Sequence, residues 1–323
     1  MQYNRSQMKE GVKVAMKAAN PPAWQVALLF VLVSGVGAWL IERILGVAFP
    51  GSQLADALAM GVLSGKGDPD AVFQQLLGLM PNLGGVMFVS SLVMAAASFV
   101  WNNLMGFGLS AYVLGMVRGE NPPFKTLFVG FYQAKRVLLA NLWVLAYTLG
   151  WSLAGGVVYF VVMMPVAFLA GLLGIVGQLL GGLVVLAVTV VGALFLLWLN
   201  TRYRLVNFVL ANDPACAPKE AVNQAKVIFE GNMADMMVLS LSFVGWYLLQ
   251  GVIAAVFGAL GLITMGLLAV VGQLILAALH IYLLPYVEGS FAAYYLAQMG
   301  DGYLHGSFTQ GGWDNQGGSP FTL

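Results

Sequence analysis

The chain has 323 residues, 60% of them hydrophobic and only 8% charged, with a formal net charge of +1 and one cysteine. This excludes a soluble globular domain, in which about a quarter of the residues are charged, and a nucleic-acid partner, whose phosphates demand a basic surface. The lone Cys216 excludes an intrachain disulfide and any thiolate cluster.

The mean hydropathy of +0.86 comes from long Leu/Val/Ala/Gly blocks. Blocks of about 18 or more such residues read as membrane-spanning helices. They lack the period-2 alternation of a barrel strand, so the expected class is an all-α membrane protein.

In chain order, residues 1–22 are charged and helix-prone. Arg5, Lys9, Lys13 and Lys17 recur every four residues, beside an apolar stripe of Met8, Val12, Met16 and Ala19. Such a helix is expected to lie on the bilayer, apolar side down, with the four cations as candidate contacts to anionic lipid headgroups. The first crossing runs from Trp24 to Phe49, with Glu42 and Arg43 as interfacial anchors. Residues 51–83 read as an outer loop with one or two short amphipathic helices, the second capped by Asp70.

The second crossing covers Gly85–Val117, and a basic linker follows at 118–136. Val137–Ala211 is long enough for two crossings bent at the glycine-rich 171–182, and the last two are Met236–Leu260 and Met265–Ala297. The membrane domain is therefore 23–299, and the Gly/Asn/Gln/Ser-rich 300–323 reads as a disordered tail.

Twelve of the Lys and Arg residues fall in the N-terminal segment and the second and fourth connections, against Lys66 alone in the first; Arg43 belongs to a helix. This bias puts both termini in the cytoplasm of a multi-pass protein of the cell (inner or plasma) membrane. Amphipathic segments at 4–19, 123–135 and 218–230 precede the odd crossings. Six transmembrane helices thus group into three hairpin units, each preceded by a cytoplasmic amphipathic helix.

No catalytic constellation emerges. His280 and His305 are in no metal-binding spacing, no nucleotide loop is present, and no serine has an evident base. No enzyme activity, metal or cofactor is expected. The candidate site is an intramembrane polar cluster of Asn102, Asn103, Arg202, Arg204 and Glu288, since polar groups at membrane depth need partners. With helices continuing to Ala211 and Ala297, Arg202 and Glu288 would sit at similar depth, roughly 13 Å inside the exit. The expectation is an Arg202–Glu288 pair, with Arg204 as the alternative donor and Tyr203 or Tyr286 completing the network.

The stretches "RYRLVNFVLANDPACAPKEAVNQAK" and "LPYVEGSFAAYYLA" resemble the bacterial integral-membrane family catalogued as domain of unknown function 975. Arg202, Tyr203, Phe208, Asn212, Asp213 and Pro214 fit its R-Y-x-x-x-x-[YF]-x-[LI]-x-[DN]-[ND]-P segment, and Pro285, Tyr286 and Tyr294 its closing motif. "FVGFYQAKR" at 128–136 resembles its segment before the third helix. The likeness covers residues 120–300 best and departs at 165–182, where a much shorter turn is expected. It implies a polytopic membrane protein without an assigned activity.

Two function classes stay open. One is a non-enzymatic scaffold, assembly or stress-related membrane factor, acting on a membrane-protein partner or as a homo-oligomer. The other is a small transporter or lipid/peptide-handling protein, which would need a continuous mid-membrane polar cavity.

Overall fold

The computed structural model describes residues 5–48, 69–172, 174–264 and 266–300, with no strand among them. Residues 301–323 and 51–68, parts of the expected tail and outer loop, lie outside this description. The helices are α1 (Arg5–Ala18), α2 (Ala23–Ala48), α3 (Pro69–Arg118), α4 (Val129–Tyr132), α5 (Ala134–Leu172) and α6 (Gly174–Tyr203). They continue as α7 (Val206–Asn212), α8 (Pro218–Gly231), α9 (Met233–Leu241), α10 (Val244–Ile263) and α11 (Leu267–Gln298). A 3-10 turn at Phe124–Phe128 precedes α4.

Six segments are long and apolar enough to cross a membrane: 23–45, 88–118, 134–172, 176–212, 233–263 and 267–298. They agree with the six expected crossings and pair as three hairpins, α2–α3, α5–α6 and α10–α11. The last two reverse tightly at Gly174 and Gly266, whose φ of +59° and +89° side chains rarely adopt. The glycine-rich stretch is therefore helix on both sides, with α5 running through Pro165 to Leu172. Two expectations change here. The segment from Pro69 is continuous with the second crossing, and the amphipathic 123–135 is a 3-10 turn plus one short helix.

Burial is concentrated at one end. Most of the buried residues come from Leu104–Val117, Leu199–Leu210, Ala221–Phe243 and Leu283–Ala297, with Met8 and Val12 added from α1. Phe107, Tyr112, Phe208, Phe229, Phe243, Phe291 and Tyr295 are its largest fully buried side chains. Phe208 stacks on Tyr295, and Phe243 meets Tyr286 edge-on and Phe291 at a tilt. We call this packed end the base.

Two glycines let the base close. A Cβ on Gly108 of α3 would collide with the Leu127 carbonyl, and one on Gly130 of α4 with the Leu104 carbonyl. The turn and α4 thus lie directly on the α3 backbone, which any side chain there would forbid. Tyr112 donates to the Pro21 carbonyl at 3.0 Å, and the Asn20 amide donates to Asn121 at 3.0 Å, tying the α1–α2 corner to the end of α3.

Away from the base the hairpins are uncovered. No residue along the most apolar windows of α5 and α6 is buried, and side chains such as Phe160 (71% exposed) and Leu183 (64%) point outward. A girdle of aromatic rings marks where packing ends on the second hairpin. Trp143 stacks on Tyr147, Tyr147 on Tyr203, and Trp151 meets Trp198 edge-on.

Candidate functional site

The two arginines of the fourth crossing sit in the base, at a break in the helix. α6 ends at Tyr203, the Arg204 amide reaches back to the Thr201 carbonyl at 3.3 Å, and α7 begins at Val206. The apolar run to Ala211 is therefore not one straight helix. The break turns the two side chains in different directions.

Arg202 is 8% exposed and donates from Nη2 to Glu230 at 2.7 Å. Its guanidinium lies 5.0 Å from the Trp198 ring centre, 5.7 Å from Trp151 and 5.9 Å from Tyr203, an aromatic box that favours a cation. Arg204 donates from Nη2 to Glu288 at 2.6 Å and lies 4.1 Å from the Phe291 ring. The expected Arg202–Glu288 pair is thus corrected: Glu288 takes Arg204, the alternative donor, while Arg202 takes Glu230 from the amphipathic α8. Tyr203 and Tyr286 contribute rings rather than completing a shared hydrogen-bond network, Tyr203 beneath Arg202 and Tyr286 beneath Lys13.

The asparagines do not join them. Asn102 is exposed, and Asn103 bonds back to the Phe99 carbonyl of its own helix at 2.7 Å. The candidate cluster therefore resolves into two ion pairs and two separate asparagines.

Depth explains the difference. At about 1.5 Å per residue, Arg204 lies some 45 Å along the helix from the Gly174 reversal, and Arg202 about 42 Å. A hydrocarbon core is about 30 Å thick. If the hairpin tip reaches the far face, both arginines fall beyond the near one, Arg202 among the rings of the aromatic girdle and Arg204 two residues further. The Arg202–Arg204 stretch is therefore a boundary between uncovered helix and packed base.

The motif itself is held by two further arginines. Arg118, at the end of α3, donates to the Asn212 side chain. Arg136 donates to the carbonyls of Leu210 (3.1 Å), Cys216 (3.0 Å) and Asp213. Those carbonyls lie at and beyond the end of α7, where backbone acceptors lack helical partners. Asp213 closes the turn by accepting from the Ala215 amide at 2.9 Å. Burial pushes the Cys216 thiol up, the Asp213 carboxylate adds to this, and Arg136 opposes it. Glu120 is likewise raised by burial, against the pull of Arg118 at 4.0 Å. The sequence identified Asp213 and Pro214 as a motif but not the arginines that read it. The signal for Arg136 was the basic "KR" at 135–136, used for orientation and for the family likeness but given no partner.

The apolar stripe of α1 is covered by protein. Met8 and Val12 are buried, and Val12 fits against Gly289 of α11. Lys9 donates to Ser242 at 2.6 Å and lies 4.4 Å from the Phe243 ring, and Lys13 lies 5.5 Å from the Tyr286 ring. This corrects the apolar-side-down placement, since Met8 and Val12 are already occupied. Lys17 is exposed, and the Arg5 side chain lies outside the described residues. No group of three His, Cys, Asp or Glu capable of holding a metal occurs among the described residues.

No curated protein and no solved structure matches the chain. The family model described as "Protein of unknown function (DUF975)" matches residues 71–299, reaching further toward the N-terminus than the motifs alone. With well over half its length matched, from the second crossing to the end of the last, the chain belongs to the DUF975 family.

Proposed function

We propose that this protein is a non-enzymatic organiser of the cell membrane, a scaffold or assembly factor whose base faces the cytoplasm. The supporting observation is the division of the chain into a packed base and hairpins whose apolar sides are uncovered. A base secured by ion pairs and arginine–carbonyl bonds holds the hairpins in place, while their exposed flanks remain available to other membrane helices. Gathering of the three lysine- and arginine-rich segments at the base supports the cytoplasmic orientation. The transporter alternative is weaker because Arg202, Arg204 and Glu288 are engaged with one another or with Glu230, away from the asparagines.

A photo-crosslinking amino acid at Leu183, on the uncovered flank of α6, tests this in cells. Discrete adducts with one or a few membrane proteins are expected. Labelling of lipid alone, together with solute uptake that depends on the protein, would replace the organiser with the transporter. Orientation is read separately from Lys219→Cys in a Cys216→Ser background, which should resist impermeant thiol reagents added outside.

A further inference from the structure

The third hairpin differs from the second in what it shows to the bilayer. Tyr247 and Gln250 of α10, with Gln273 and His280 of α11, line one open groove of about 510 Å³ beside the small residues Gly251 and Ala277. Gln250 Nε2 is buried there without a hydrogen-bond partner. Counting from Gly266 at about 1.5 Å per residue, Gln273 lies about 10 Å along the hairpin, His280 about 21 Å and Gln250 about 24 Å. All three fall within a hydrocarbon core of about 30 Å if the tip reaches the far face. Amide and imidazole groups at that depth are costly to leave facing lipid and serve as interhelical contacts.

We propose that this groove is the contact surface for a second copy of the chain, joined about a two-fold axis along the membrane normal. The inference rests on the organiser reading and names one of its partners. The chemistry is self-complementary: the groove carries no Asp, Glu, Lys or Arg, and glutamine and tyrosine can each donate and accept. The levels agree as well. Gln250 and His280 differ by only about 3 Å in depth, so such an axis sets each against the other's counterpart. An isologous contact of this kind offers the exposed Tyr247, Gln273 and His280 a copy of the same surface, and the Gln250 amide can join them by turning outward. Gly251 and Ala277 allow the backbones to approach, as small residues do between membrane helices. The product is a four-helix bundle, one hairpin from each copy's third unit, with a polar seam.

The test uses the full chain in native membranes, with two differently tagged copies co-expressed. A benzophenone amino acid at Ala277 should give, on irradiation, a band of twice the chain mass carrying both tags. Gln250→Leu with His280→Leu, which leaves the base untouched, should lower that yield at least tenfold. An unchanged yield in the double variant would overturn the polar seam. An adduct with a different membrane protein, and no two-tag band, would overturn self-association while leaving the organiser reading intact. Lipid adducts alone at Ala277 overturn self-association, and the same result at Leu183 removes the organiser reading too.

Discussion

Arg204 and Glu288, separated by 84 residues in the chain, meet at 2.6 Å and join the break after α6 to the middle of the most buried stretch of α11. Their side chains are 29% and 21% exposed, so each is partly desolvated and needs the other. Arg204→Ala and Glu288→Gln should each destabilise the detergent-solubilised protein by about 1–3 kcal/mol, and the second change should add less than about 1 kcal/mol to the first. Arg202→Ala combined with Glu288→Gln should instead be close to additive. Thermal unfolding of the three single and two double variants decides it, and coupling of Glu288 to Arg202 rather than Arg204 would contradict the observed pairing.

Arg136→Lys should be nearly as damaging as Arg136→Ala. One ammonium cannot reach the carbonyls of Leu210, Asp213 and Cys216 together, whereas the planar guanidinium presents several fixed donors. A loss of about 2 kcal/mol is expected from the unmade hydrogen bonds. It is read as a lower unfolding temperature and a smaller monodisperse fraction on gel filtration. Recovery of wild-type stability by lysine would show that charge alone holds the turn.

Alanine at Gly108 or Gly130 should cost at least about 1–3 kcal/mol, because in each case the obstacle is a backbone carbonyl that cannot rotate away. Alanine at Gly150, which has open space around it in the interior of α5, should be neutral or stabilising by up to about 1 kcal/mol. Comparing their melting temperatures separates close approach from helix propensity.

Cys216 should resist maleimide near neutral pH in the folded protein and react promptly in denaturing detergent. It is 7% exposed and its thiol is raised by burial, so the reactive thiolate is scarce. A thiol raised in the folded state favours folding below its unfolded value, and that contribution is lost as pH rises through the folded value. Labelling should therefore climb only in alkaline buffer. Rapid modification of the native protein at neutral pH would place Cys216 at the surface.

The spans were legible because lipid imposes a length and a composition that survive in any order of apolar residues. Charge bias likewise predicted which connections gather at one end. The pairings were not legible, for a local reason. Reading "LVNFVLA" as one continued helix placed Arg202 at the level of Glu288, whereas the break at Arg204–Leu205 rotates the chain and exchanges the partners. Glu230 was hidden by its position at the end of a helix that looked like a surface element. Its salt bridge shows that α8 folds back onto α6. The fate of α1 had a signal in "EGSFAA", where small residues in a membrane helix leave a place for another helix to lie.

The burial of Leu283–Ala297 at the heart of the base also orders events during synthesis. Each hairpin can enter the bilayer as its own two helices leave the ribosome, since it needs little from the others. Phe208 and Phe243 have no complete cover until the last of the described helices brings Tyr286, Phe291 and Tyr295. Assembly therefore proceeds from independent insertion to a single late closure. A chain cut short before Leu283 would display those aromatic faces to the proteases that survey unfinished membrane proteins.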